Sequence, residues 1–335
     1  MQKNIMKVEH PTSSHMVGDG FRVVQYIPGH GREMSNETSP FLMLDYNTPW
    51  DITPQVRWYR PWVWFHPHRG FETVTIVYSG EVEHQDTAGH GGIIGADEIQ
   101  WMTAGSGLLH NEFMSSEFSR LGGTQHMIQL WINLPREYKM TTPRYQALTR
   151  ENIPEVAFDG GRVRVIAGEV SIQDSKWKIQ KKWIAETFSP VELYDVRFDI
   201  CHPAGIPLDP ALWVINDKDL ISEGKRDSSV ALGMTKETKT LEFQIPENYT
   251  TMVLVTEWEI MINDRKLGNG DIAHFGASWS TLSLSSISVA KILIMAGCPL
   301  DEPIAHYGPF VMNTEVEIRQ AFADLNAGKM GSLDL

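Results

Sequence analysis

Apolar and polar positions alternate with period two along most of this chain. The runs are short and punctuated by glycine. In the first half they fall at 21–27 (FRVVQYI), 41–46 (FLMLDY), 72–86 (ETVTIVYSGEVEHQD), 98–105 (EIQWMTAG), 108–114 (LLHNEFM) and 125–134 (QHMIQLWINL). Side chains two apart on a strand share a face, so each run predicts a strand with an inner and an outer side. The 72–86 run reads as a hairpin about Ser79-Gly80. Short strands at regular spacing with glycine turns predict an all-β sandwich or barrel.

The stretch 135–162 carries three prolines and keeps no period, and it reads as a linker with a short helix or two at most. Strands resume at 163–170, 191–200, 251–262, 271–276 and 289–297. The halves echo each other. YSGEVEHQD is followed by GADEIQWMTAG, and VTEWEIMIND by GNGDIAHFG. The expected organisation is an N-terminal barrel over 1–137, a linker over 138–162 and a C-terminal barrel over 163–335. One helix closes the chain. Thr314 with Glu317 makes a capping box, Ile318, Ala321, Phe322 and Leu325 share a face, and Gly328 stands where a C-cap glycine belongs.

The 335 residues are 42% hydrophobic and 21% charged, which suits a globular protein with room for two cores. The net charge of −13 argues against direct binding to nucleic acid, because only GKRD and KWKIQKK are basic spots. A partner would be a protein or a small molecule. Two cysteines, Cys201 and Cys298, suggest a reduced compartment, and the N-terminus lacks an apolar leader core. No apolar run of 18 or more appears, so no membrane span is read. The expected location is cytoplasmic.

Candidate chemistry gathers around FHPHRGFE. His66 and His68 are two apart and face one way if extended. His110 and Glu112 in LLHNEF repeat that spacing after the glycine turn AGSG. Two strands presenting ligand pairs inward can build a three-histidine, one-carboxylate metal site. Imidazole and carboxylate without thiolate suit Fe(II), Mn, Co, Ni, Cu or Zn. Glu72, four after His68, is a candidate ligand or, by preference, an acceptor for an imidazole N–H, unless Gly70 interrupts the strand. Arg69 is placed to balance carboxylate charge. In RWYRPWVWF the aromatics Trp58, Tyr59, Trp62, Trp64 and Phe65 run up to His66, and Trp64 and Phe65 are the candidates to line a flat substrate. Glu247, Asn248, His202 and His274 form no matching set in the second half.

The segments HPHRGFETVTIVYSGEVEHQD, EIQWMTAGSGLLHNE, QLWINLP, KMTTPRYQ and HYGPFVMNTEVEIRQAF resemble the pirin family of the cupin superfamily. The resemblance implies a bicupin, two stacked β-barrels, with a metal only in the first. It implies His66, His68, His110 and Glu112 as ligands and Fe(II) as the metal. It implies an oxidoreductase of quercetin 2,3-dioxygenase type, with a small aromatic substrate and dioxygen. In such a reaction Glu112, the one nearby basic group, would be the catalytic base. Some relatives are instead metal- and redox-dependent co-regulators that bind a protein partner. The chain departs from the family in its aromatic approach, 57–65, and in a polar insertion, 209–240.

Overall fold

The alternation resolves into two curled barrels. The structure, a computed structural model, describes residues 1–28, 33–55, 60–174, 178–182, 185–199 and 238–332. Trp58, Tyr59, Cys201, His202 and all of the 209–240 insertion but its last three residues lie outside them.

The first barrel sets a seven-stranded sheet against a four-stranded one. The larger runs Arg144–Leu148, Ile99–Thr103, Phe71–Ser79, Gly123–Asn133, Phe41–Ile52, Phe21–Ile27, Ser14–Val17. The smaller runs Trp62–His68, Leu108–Met114, Val82–Asp86, Gly91–Ile94. The central strands of the larger sheet are buried on both faces. One face, including Val74, Ile76, Ile128 and Leu130, packs with Leu254, Leu293 and Met295 of the second barrel. From the other face, Val77 and Met127 meet Val82 and Ile94 of the smaller sheet.

The second barrel is one curled sheet of twelve strands. It encloses an apolar cluster that includes Val165, Val196, Phe243, Val253, Ile262 and Ile294. The barrels are also joined by charge. Buried Asp195 accepts from Arg164 at 2.9 Å and from Arg197 at 3.0 Å, and Arg197 reaches on to Asp97 of the first barrel.

Three features differ from the sequence reading. The 72–86 run is not a hairpin: Phe71–Ser79 pairs with Gly123–Asn133 and Ile99–Thr103, while Val82–Asp86 pairs with Leu108–Met114 and Gly91–Ile94. Gly80, at φ +84°, turns the chain from one sheet to the other. The stretch 138–162 holds two edge strands, Arg144–Leu148 on the first barrel and Glu155–Phe158 on the second. The termini cross over. Ile5–Glu9 pairs with Ile272–Phe275 in the second barrel. The C-terminal hairpin and helix return to the first, where Val311 N–H donates to the Arg69 carbonyl (3.1 Å) and Thr87 Oγ1 donates to the Met330 carbonyl (2.6 Å).

The closing helix is Glu315–Asn326, with Thr314 accepting from Glu317 N–H as the capping box requires. Gly328 takes φ +71° just beyond it. Ile318 and Ala321 pack on Phe310 and Met312, with Leu109 of the first barrel joining them. Among the described residues no helix is long and apolar enough to cross a membrane.

Candidate metal centre

His66 and His68 lie on Trp62–His68, and His110 on the neighbouring Leu108–Met114. His110 stands directly across from His66 in the antiparallel ladder. One potential ligand atom from each of the three imidazoles falls within 4.8 Å of the others. Their ring centroids are 4.2 to 4.8 Å apart. Among the described residues this is the one group of three such side chains.

The ladder is bulged beside the site. Glu112 faces Val63 while His110 faces His66, so the first strand takes three steps where the second takes two. A bulge re-aims the side chains at its position. Here it falls at Trp64 and Phe65. Trp64 is 62% exposed and Phe65 half-buried. The Trp64 carbonyl lies 2.7 Å from His66 Nδ1 and accepts its proton. That bond leaves His66 Nε2 as the ring's lone-pair nitrogen.

His68 and His110 are buried. Burial, and then the neighbouring imidazoles, hold both well below the usual histidine range, so both are neutral at pH 7. His68 Nδ1 and His110 Nε2 are buried nitrogens without a protein partner. Leaving a buried polar atom unpaired costs about 1–3 kcal/mol. A cation bound by the imidazoles supplies what these nitrogens lack, so the donor set fits a first-row metal.

Glu112 is buried on the same strand as His110, outside the 4.8 Å cluster. Both carboxylate oxygens accept from Gln129 Nε2 at 3.1 Å. Trp131 Nε1 donates to Gln129 Oε1 at 3.4 Å, and the Trp131 ring meets His68 edge-on at 5.1 Å. Phe71 stacks on Trp131 at 4.3 Å and closes that side.

The structure places Arg69 and Glu72 away from the imidazoles' hydrogen bonds. Arg69 Nη1 donates to Asp324 Oδ2 at 2.9 Å, and Nε donates to the Ser106 carbonyl. It clamps the C-terminal helix in a buried pair. Glu72 accepts from Thr103 Oγ1 at 2.7 Å. Burial pushes its carboxyl up to about 7. Gly70, at φ +86°, breaks the strand between His68 and Glu72 and cancels their shared face. In the second barrel His274 Nε2 lies 3.2 Å from Glu9 Oε2.

Sequence reasoning missed His84, whose Nδ1 is 3.2 Å from His110 Nδ1, together with Gln129 and Trp131. The signal for His84 was present. Val82, His84 and Asp86 alternate in VEHQD as His66 and His68 do in FHPH. Open clefts of ≈ 430 and ≈ 620 Å³ lie elsewhere, against Glu169 and Glu192 and against Asp97 and Arg150. Donor chemistry, not volume, marks the centre.

Comparisons with known proteins agree with this construction. The Pirin family model matches residues 20–132, and that of the Pirin C-terminal cupin domain matches 231–331. A Pseudomonas aeruginosa protein provisionally named quercetin 2,3-dioxygenase is 36% identical over 98% of both chains. A tomato (Solanum lycopersicum) pirin-like protein is 35% identical over 94% of this chain and 88% of its own. The crystal structure of quercetin 2,3-dioxygenase from Acinetobacter baumannii superposes with a TM-score of 0.79 at 37% identity, covering 100% of both chains. With two cupin barrels and a three-histidine centre in the first, the chain belongs to the pirin family.

Proposed function

We propose that the protein is an Fe(II)-dependent dioxygenase of quercetin 2,3-dioxygenase type, acting on a flavonol or another flat chelating phenol. The observation that carries the reading is the set of three close imidazoles with two buried, unpartnered nitrogens, in a chain 37% identical to a structure titled quercetin 2,3-dioxygenase. His66, His68 and His110 would hold the metal, with Glu112 as the fourth ligand. When bound, the metal supplies Lewis acidity and open positions for a substrate oxygen and dioxygen.

The chain's own residues do the rest. Glu112 takes the phenolic proton at a carboxylate oxygen, and Gln129 holds that carboxylate ready. Gln129 is itself oriented by Trp131 and so fixes which way the base faces. The Phe71–Trp131 stack keeps water from the buried side. Exposed Trp64 stands at the outer edge, where a flat ring can stack on it.

The test is elemental analysis of purified wild type beside His68→Ala, followed by oxygen uptake with quercetin on the iron-loaded protein. The expected result is near-stoichiometric metal that His68→Ala loses, and uptake that chelation abolishes. Metal without uptake would move the reading to a protein-interaction module controlled by the metal. A wild type that takes up no metal even after loading overturns the centre.

A further inference from the structure

We propose that His84 is a positioning residue: anchored by Asp86, it dictates the His110 tautomer that leaves Nε2 bare. The inference deepens the metal-centre reading and rests on it for its purpose, though not for its geometry.

With the His84 ring taken as neutral, the bonding groups admit one consistent assignment. His84 and Asp86 are buried and lie two apart on Val82–Asp86. Asp86 Oδ2 is 3.4 Å from His84 Nε2, and a carboxylate only accepts. His84 Nε2 therefore carries the proton, and in the neutral ring Nδ1 is an acceptor. Two groups meet that acceptor. Gln100 Nε2 lies 3.3 Å away, and the Tyr145 hydroxyl, donating to Gln100 Oε1 at 3.3 Å, keeps the amide nitrogen turned toward His84. His110 Nδ1 lies 3.2 Å away, and it must be the donor. His110 is then the Nδ1–H tautomer with its lone pair on Nε2, the buried nitrogen that has no protein partner.

Asp86 cannot drift. Its Oδ1 accepts from the N–H groups of Ala88 (2.9 Å) and His90 (3.0 Å), and the His90 ring shares Oδ2 at 3.1 Å. Tyr145 stacks on the His84 ring at 5.0 Å and 18°, which fixes its plane. The line from Asp86 through His84 sets the proton on His110 as a carboxylate sets the proton on a catalytic histidine.

The decisive variant is Asp86→Asn. Its oxygen stays with the two backbone donors, so its amide group faces His84 Nε2. His84 must then accept at Nε2 and carry its proton on Nδ1. His110 is driven to Nε2–H, and the lone pair turns away from the centre. Two-bond ¹H–¹⁵N correlation of the histidine rings reads this directly in metal-free protein. Wild type should show His110 as Nδ1–H and Asp86→Asn should show it as Nε2–H. Ni(II) affinity should fall about 10–100-fold in the variant.

His84→Asn, which keeps an acceptor near Nδ1, should retain both the tautomer and the affinity. His84→Leu should lose both. If the leucine variant fails to fold, the other two still decide. The proposal is overturned if wild-type His110 carries its proton on Nε2, or if Asp86→Asn moves neither tautomer nor affinity. A wild type with the assigned tautomer that binds no metal supports the positioning line and sinks the metal function, so the two failures are distinguishable.

Discussion

The two barrels share their strand architecture and differ in what faces inward. The second is filled by Val165, Val196, Phe243, Val253 and Ile294. The first brings Thr75, Gln100, Gln129, His84, His110 and Glu112 into contact across the space between its sheets. Asp45 Oδ1, Thr73 Oγ1, His68 Nδ1 and His110 Nε2 are buried there without a protein partner. The second barrel buries unpaired groups too, the Tyr194 hydroxyl and Glu192 Oε2 among them, but no set of three close imidazoles among its described residues. Each unpaired one costs stability that apolar packing would not. The difference teaches where the fold is only scaffold and where it has been departed from to hold chemistry.

The largest expected effect comes from emptying the apolar interior. Phe243 is fully buried and stacks on Tyr194 at 5.7 Å. Phe243→Ala should lower unfolding stability by about 3–5 kcal/mol. Metal content per folded molecule should stay at the wild-type value. Denaturant midpoints with elemental analysis of the folded fraction check both. A loss of metal in step with stability would mean that the division of labour between the barrels is false.

The same contrast explains what was legible in the sequence. His66, His68 and His110 stood out because strand alternation converts a spacing of two into a shared face, a local rule. The same rule pointed to Glu112, which the structure leaves outside the imidazole cluster, beyond a register shift after His110. His84 was overlooked because its strand offers one imidazole beside Asp86, and its other partners, Gln100, Tyr145 and His110, come from other strands. The turn at Ser79-Gly80 was misread because a glycine at positive φ serves a hairpin and a crossing between sheets equally well. The 138–162 stretch looked like a linker because its strands are edges, each paired on one side only, where proline and weak patterning are tolerated. Arg69 was expected to balance a carboxylate beside the site, yet the carboxylate it pairs with, Asp324, is 255 residues away. No local pattern reports such a pair.

A smaller effect should separate the interiors by pH. Asp45 is buried in the first barrel, and burial raises its carboxyl to about 7 against the lowering pull of Gln25. Because the folded value is above the unfolded one, this group favours folding fully below about pH 4, and that contribution is lost as pH rises through 7. Asp45→Asn stays neutral throughout. It should match wild type at pH 4 and exceed it at pH 8 by a few kcal/mol at most. Urea midpoints at the two pH values test this, and a difference that does not change between them would refute it.

The smallest effect is the sharpest test of the comparison, since it makes the same change in opposite directions. Val253 in the second barrel is fully buried among apolar side chains. Val253→Thr replaces a methyl with a hydroxyl of nearly equal volume, so packing is kept while a donor and an acceptor are buried. The expected cost is about 1–3 kcal/mol. Thr75 in the first barrel is equally buried, but the hydrogen bond at its hydroxyl is a long one, 3.4 Å from Gln129 Nε2, and that amide also bonds Glu112. Thr75→Val should therefore cost less than about 1 kcal/mol, near the net worth of one hydrogen bond. If the two substitutions cost the same, polarity is priced alike in both interiors and the contrast between them reduces to composition. If Val253→Thr costs clearly more, the first barrel is an environment already adapted to polar groups, as a barrel that gathers three imidazoles has to be.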